Sequence, residues 1–279
     1  MTVSILILTK NEERDLPGCL ESVSWSNDIV VYDSLSSDNT QLIAKKYGAR
    51  IVEREFDNWS SHQNWGLKNI QFKNKWVFYI DADERMSSEL IESVQALVNK
   101  PDDNVAFRIQ RRDFWGGRWL KHVQASKYYI RLFMPEYINY QRLVNPITNV
   151  DGNCGVADGY LNHFPFSKGI GFWFERHNSY SSFEAAQIVE NRKNNKNFSV
   201  LRAFIEVDFN KRRFHQKELF YRLPGRALIK FILFYFVRFG FLDGRPGFNY
   251  AVIQSIYEQM IVLKVKELSV ENENSDLRD

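Results

Sequence analysis

Two aspartates one residue apart, Asp81 and Asp83, close the apolar run Trp76-Val77-Phe78-Tyr79-Ile80. A buried strand cannot hold ionised carboxylates within the sheet, so they must emerge at its carboxyl end, where open α/β sheets bind ligands. In an extended chain, residues two apart share a side, so both carboxylates can face one cation. Oxygen ligands suit magnesium or manganese, which usually reach a protein through one or two carboxylates and the phosphates of a substrate. The pair therefore suits a metal-bound diphosphate. Two turn aspartates capping the next helix would look the same at this stage.

A second carboxylate closes a strand at Val31-Tyr32-Asp33, followed by Ser34, Ser36, Ser37 and Thr40. An acid at a strand end can accept from a ribose or a base, and small hydroxyl residues can cap a helix. The glycine fingerprint of dinucleotide folds is absent, which argues against that class.

Something must position these groups, and the first hundred residues alternate strand and helix patterns as a parallel sheet requires. Strands are expected at 3–8, 28–32, 50–52 and 76–80, and helices near 12–23, 39–47, 61–70 and 87–98. Beyond Pro101 a strand at 105–110 leads into an aromatic and basic stretch containing Arg111, Arg112, Phe114, Trp115, Arg118, Trp119, Tyr128, Tyr129, Arg131 and Phe133. Aromatic faces beside arginine forks suit sugar rings and phosphates, and they also pack ordinary cores. A helix starting near Ile170 and running past Ala186 precedes an asparagine-rich link at 191–197.

The last third is basic and apolar together. Lys211, Arg212, Arg213, Lys217, Arg222, Arg226 and Lys230 lead into an apolar run at 231–239, interrupted only by Arg238. That run is far short of the roughly 20 residues a spanning helix needs. It suits a helix lying on an anionic membrane surface, with a core helix as the alternative. The tail at 271–279 is polar and expected to fray.

Composition excludes other classes. A chain of 279 residues with 44% hydrophobic content can build a full core, and a net charge of +3 does not argue for nucleic acid. Cys19 and Cys154 have neither metal spacing nor a disulfide framework, so a reducing compartment is expected. The opening apolar run is too short for a signal sequence and passes straight into Lys10-Asn11-Glu12-Glu13-Arg14.

In colinear order, these motifs resemble the inverting family-two glycosyltransferases of GT-A fold, in the subgroup of lipopolysaccharide inner-core β-1,4-glucosyltransferases. The matching residues begin with Thr9-Lys10-Asn11-Glu12-Glu13, Asp33-Ser34-x-Ser36-x-Asp38-x-Thr40, Asn64 and Asp81-Ala82-Asp83-Glu84. They continue through Arg111-Arg112, Gly117-Arg118-Trp119, Arg131-Leu132-Phe133, Asn178-x-Tyr180-Ser181 and Gly240-Phe241-Leu242-Asp243-Gly244-Arg245-x-Gly247. The resemblance implies a doubly wound mixed α/β sheet, with a catalytic domain at 1–190 that binds a nucleotide sugar and a helical, basic-aromatic extension at 191–279 on the membrane surface. It implies that Thr9, Asn11, Glu12 and Asp33 line the nucleoside pocket and that Asn64, Asp81 and Asp83 serve the donor. Asp81 and Asp83 would approach the Mg or Mn ion, and Arg111, Arg112, Trp119 and Arg131 would contact acceptor or phosphate.

The chain departs from the family's pattern at three places. Gln63 stands where a basic residue is usual, Lys127 where an acidic one is common, and 144–149 lacks the Val-His-Glu motif of the acceptor side. An inverting transfer needs a general base. With the usual glutamate missing, Asp113 is the preferred candidate, because it follows a strand into the aromatic-basic loop; Asp151 and Asp158 are the alternatives. The expected activity is transfer of a hexose from a nucleotide diphosphate sugar, a UDP-sugar first, to a glycan or glycolipid. It would take place in envelope polysaccharide synthesis on the cytoplasmic face of the cell membrane. The alternatives are a nucleotide-sugar-binding protein without transfer activity and a basic nucleic-acid binder; the second lacks any recognised module.

Overall fold

A computed structural model describes residues 2–141, 147–193 and 198–276. The chain divides into two compact units: Met1–Trp119 with Ala125–Ser167, and Leu120–Gln124 with Lys168–Asp279.

The first unit is built on a nine-stranded mixed sheet. It opens with β1 (Val3–Thr9), α1 (Leu16–Ser22), β2 (Asp28–Asp33), α2 (Thr40–Lys46), β3 (Arg50–Glu53), α3 (Trp59–Asn69) and β4 (Trp76–Asp81). It continues through β5 (Glu84–Met86), α4 (Ser88–Asn99), β6 (Asn104–Trp115), β7 (Arg118–Trp119), β8 (Tyr128–Phe133), β9 (Ile138–Gln141), β10 (Ile147–Val150) and β11 (Asn153–His163). The order is β3-β2-β1-β4-β8-β6-β11-β5, with β7 hairpinned onto β6, while β9 and β10 form a separate pair. Strands β1 to β4 are mutually parallel, whereas β8 runs antiparallel to β4 and β6.

Alternation along these strands fills two cores. Ile5, Ile7, Phe78 and Ile80 meet α1 and α4 on one face, while Leu6, Val77, Tyr79 and Tyr32 meet Ile70 on the other. Burial on both faces explains why β1 and β4 read as unbroken apolar runs. Gly66 lets α3 approach the Tyr32 ring, because a Cβ there would lie 2.9 Å from it.

Sequence expectations for β1 to β4 differ from these bounds by one residue at most, and β6 differs in kind. Expected to end at Gln110, it runs to Trp115, so Arg111, Arg112 and Asp113 are strand residues. Strand β11 carries a two-residue bulge, since Val156 pairs with Arg108 and Tyr160 with Gln110. The bulge sets His163 opposite Asp113; a regular ladder would put Leu161 there.

The second unit is helical: α5 (Ile170–Lys193), α6 (Arg202–Ile205), α7 (Phe209–Arg222), α8 (Arg226–Ile232) and α9 (Gly244–Asp276). Ala185 and Ile188 of α5 pack on Ile261 and Val265 of α9. The expected boundary at 190/191 falls inside α5. The link at 191–197 and the tail at 271–279 lie partly outside the described residues, and α9 continues to Asp276.

The apolar run at 231–239 is not one helix. After α8 come a π-turn over Leu233–Val237 and then Phe239 in a left-handed conformation (φ 57°). Phe234 is buried, while Phe236, Val237 and Phe239 are 54%, 61% and 56% exposed. Among the described residues no helix is long and apolar enough to cross a membrane.

The Gly240–Asp243 turn grips the short segment Leu120–Gln124. The buried Asp243 carboxylate accepts the backbone N–H groups of His122 and Val123 at 2.9 and 2.8 Å and contacts His122 Nδ1 at 2.7 Å. Tyr250 donates its hydroxyl to Gln124. Gly240 has no room for a side chain, because a Cβ would lie 2.6 Å from the Phe234 carbonyl oxygen.

Candidate functional site

The carboxyl ends of β1 and β2 carry two loops stitched into one scaffold. Lys10 Nζ donates to the carbonyls of Ser34 and Leu35 at 2.7 Å, and Asn11, left-handed at φ 55°, accepts from the Ser37 N–H. The Glu12 N–H donates to Thr40 Oγ1 and the Glu13 N–H to Asp38. Asp33 lies at the centre and is fully buried. Its carboxylate accepts from Thr9 Oγ1, Ser36 N–H, Ser36 Oγ and Gln41 Nε2 at 2.6–3.0 Å. Burial alone would raise its pKa, and these hydrogen bonds reverse that and lower it. The expected nucleoside residues Thr9, Asn11, Glu12 and Asp33 are therefore adjacent, with Asp33 bracing the loops.

Asn64 is committed to backbone. Its side-chain amide donates to the Tyr140 carbonyl and accepts the Tyr140 N–H, each at 2.8 Å, which ties α3 to β9.

Residues of β4, β5, β6, β8 and β11, with Asp83 between β4 and β5, bring eight ionisable groups into one chain of contacts. Asp81 accepts from Tyr79 Oη and, at 2.8 Å, from Arg131 Nη2. The same nitrogen reaches the fully buried Glu84 at 2.9 Å, and Arg111 stands 3.8 Å from that carboxylate. Arg111 Nε pairs with Asp113 at 3.2 Å, Asp113 bonds His163 Nδ1, and His163 Nε2 lies 3.3 Å from Asp83 Oδ2. Burial pushes the Glu84 carboxyl up to about 7, against the pull of Arg131. Burial would lower His163, yet the carboxylates of Asp83 and Asp113 outweigh it and push the imidazole up to about 9.

One expectation is corrected here. Asp113 does not follow a strand into a loop; it lies inside β6, 4% exposed, between Arg111 and His163. A long strand was unreadable at Arg111-Arg112-Asp113 because a polar run looks like a loop until its charges find partners. Arg111 and Arg112 also diverge, as strand neighbours must. Arg111 joins the ionic chain, and Arg112 stacks on Trp119, 4.5 Å from its ring, and on Tyr160. Asp151 and Asp158 are both exposed; Asp151 follows β10, and Asp158 lies in β11 with its N–H on Ser93. Half of the 144–149 acceptor stretch, Val144 to Pro146, lies outside the described residues.

Glu84 and His163 are the functional candidates that sequence reasoning missed. Glu84 was hidden inside the aspartate motif. His163 follows a stretch whose alternation is broken by the bulge and by Gly155 and Gly159. Among the described residues no group of three or more His, Cys, Asp or Glu side chains is arranged to hold a metal. The Asp83 carboxylate, 3.3 Å from His163 Nε2, is an oxygen donor of the kind that suits manganese or magnesium when a diphosphate completes the shell.

Glycosyl transferase family 2 matches residues 4–161, more than half of the chain. An uncharacterized glycosyltransferase of Rickettsia typhi is 24% identical over 98% of this chain and 89% of its own length. The lipopolysaccharide core biosynthesis glycosyltransferase LpsC of Rhizobium meliloti is 24% identical over 95% of this chain and 92% of its own. Among solved structures, residues 1–349 of S. aureus TarS align with a TM-score of 0.43 at 14% identity, covering 93% of this chain and 92% of that one. Glucosyl-3-phosphoglycerate synthase from Mycobacterium tuberculosis, crystallised with Mn2+, UDP-Glc and phosphoglyceric acid, aligns at a TM-score of 0.35 and 21% identity. That match spans only 40% of this chain and 44% of the other. Likenesses this distant bring neither substrate nor mechanism with them. The match over residues 4–161 does decide the family, and this chain, a mixed α/β sheet of GT-A type with a helical region after it, belongs to glycosyl transferase family 2.

Proposed function

We propose that the chain transfers a hexose, with inversion, from a nucleotide diphosphate sugar to a glycan or glycolipid acceptor in envelope polysaccharide synthesis. The observation that carries this is the ionic chain from Asp81 to Asp83, which gathers buried Arg131, partly buried Arg111 and strand-end carboxylates beside the stitched β1 and β2 loops. The full-length similarity to LpsC supports the envelope setting.

Thr9, Asn11, Glu12 and Asp33 form the nucleoside end, Asp33 by holding the loops in shape. Asn64 serves by fixing β9. A divalent cation would be held by Asp83, with His163 beside it, and would neutralise charge on the departing diphosphate. Asp81 has both oxygens engaged by Tyr79 and Arg131, so it shapes the site through Arg131. Asp113 orients the His163 ring through Nδ1, a positioning role that its burial favours over direct proton abstraction. Arg111, Arg112, Trp119 and Arg131 supply the basic and aromatic surroundings; Arg112 and Trp119 act as a stacked pair.

Attachment to the cytoplasmic face of the membrane is part of the same proposal. It is supported by the exposed Phe236, Val237 and Phe239, with Arg238 between them in the sequence. The altered acceptor motif favours a second function, nucleotide-sugar binding without transfer. A thermal-shift panel of UDP- and other nucleotide sugars, with and without manganese, tests donor recognition. Release of nucleotide in the presence of core oligosaccharide or lipid-linked acceptors separates transfer from binding alone. A chain that recognises no nucleotide sugar would overturn both.

A further inference from the structure

Just beyond the Asp113–His163 pair, aromatic residues close the end of β6 against the chain that follows β11. Phe114 and Phe164 stack at 5.5 Å, and Trp115 stacks on Phe166 at 4.0 Å. These rings, with Asp15, Arg85 and Ser167, line a cavity of about 330 Å³. Gly116 and Gly117, both at positive φ, turn the chain immediately after Trp115.

The polar end of the cavity is rigidly held. Arg85 donates to the carbonyls of Ala82 and Glu84 at 2.8 Å and of Asp15 at 2.7 Å, and its guanidinium lies over Phe164. Asp15 is 4% exposed. Its Oδ2 accepts from Ser167 Oγ at 2.7 Å, while Oδ1 stands 3.9 Å from Arg85 Nη2, an ion pair too long to be a hydrogen bond. A carboxylate oxygen with acceptor capacity thus lines the same space as an indole and a phenyl ring. Concave sites that bind small molecules combine apolar walls with a few fixed polar groups in this way.

We propose that this cleft is a pyranose subsite for the acceptor glycan. The proposal rests on the glycosyltransferase function put forward above and names where its acceptor is read. A pyranose has an apolar C–H face for Trp115 and hydroxyl donors for Asp15, whereas an aliphatic or anionic ligand would leave Asp15 unsatisfied or repelled. The position fits as well, because the Phe164 N–H donates to the Asp83 carbonyl at 2.9 Å, so one wall abuts the turn that carries Asp83. A nucleobase belongs elsewhere. Three strands separate β2, with Asp33, from β6, roughly 19 Å at the usual spacing of about 4.8 Å.

The test is saturation-transfer NMR on the full chain with the methyl pyranosides of glucose, galactose and mannose, beside a separate titration with UDP. At least one pyranoside should receive saturation on its ring C–H protons. Trp115→Ala should abolish that transfer, Trp115→Phe should keep part of it, and Asp15→Asn should weaken it at least tenfold, all without altering the UDP titration. No transfer to any pyranoside, or undiminished transfer to Trp115→Ala, overturns the subsite even if UDP binds. Pyranoside transfer without UDP binding upholds the subsite and removes the donor half of the function proposed above.

Discussion

Asp81 and Asp83 look equivalent in sequence and are held in different ways. Asp81 pairs with a guanidinium that is almost wholly buried, whereas Asp83 contacts a histidine at the end of β11. Asp83→Asn should lower turnover by two orders of magnitude or more while the melting temperature stays within a few degrees, since an amide is a poor ligand for a hard cation. Full activity in excess chelator would remove the cation from the mechanism. Asp81→Asn should also cost stability, about 2 kcal/mol, because buried Arg131 loses one of its two carboxylate partners. Equal melting of the two variants would contradict that distinction. His62 gives a pH signature. It stacks on Tyr32 at 4.2 Å, and burial holds its pKa down to about 4 in the folded chain, against an ordinary value near 6.5. Between those values only the unfolded chain takes up the proton, so this residue's contribution to stability is complete above about pH 6.5 and falls as pH drops toward 4. Glu84 works in the opposite direction over part of that range, so the comparison must be made within a pair. Urea midpoints should decline less from pH 7 to pH 4.5 in His62→Gln than in the wild type.

At the scale of elements, what could be read from sequence depended on how regular each strand is. Strands β1, β2 and β4 announced themselves because burial on both faces makes them continuously apolar, and Asp33, Asp81 and Asp83 were visible as the places where that run stops. Strand β6 was truncated in the reading because its last charged residues satisfy one another only across β8 and β11, a tertiary fact. Strand β11 was not expected at all, since its bulge shifts the alternation by which strands are recognised. The bulge ends at Gly159, which has φ +86° and where a Cβ would lie 2.4 Å from the backbone nitrogen of Leu90 in α4. Both the strained dihedral and the collision oppose any side chain there. Gly159→Ala should lower unfolding free energy by about 2–4 kcal/mol. Because the bulge sets His163 opposite Asp113, it should also lower activity at temperatures where the variant remains folded. A fully stable Gly159→Ala with unchanged turnover would show that the bulge does not set the site.

At the scale of the whole molecule, the helical unit exposes large apolar side chains beside basic ones. Phe239 holds its ring in solvent while adopting a left-handed backbone, a combination unfavourable for a bulky residue and persistent only where the surroundings enforce it. The chain should bind vesicles rich in anionic lipid, with part of the binding lost at high salt. The double change Phe236→Ser and Phe239→Ser should remove most of what remains, and sedimentation equal to wild type would place the contact elsewhere. The Asp243 grip on Leu120–Gln124 has a different consequence, in time. The His122 and Val123 amides wait for an acceptor 120 or more residues further along the chain. At about 5–20 residues per second, a ribosome needs on the order of 6–24 s to supply it. Throughout that interval the connector between β7 and β8 lacks its anchor, so on a nascent chain it should be the part of the sheet region most open to proteolysis, closing only when the last helices emerge.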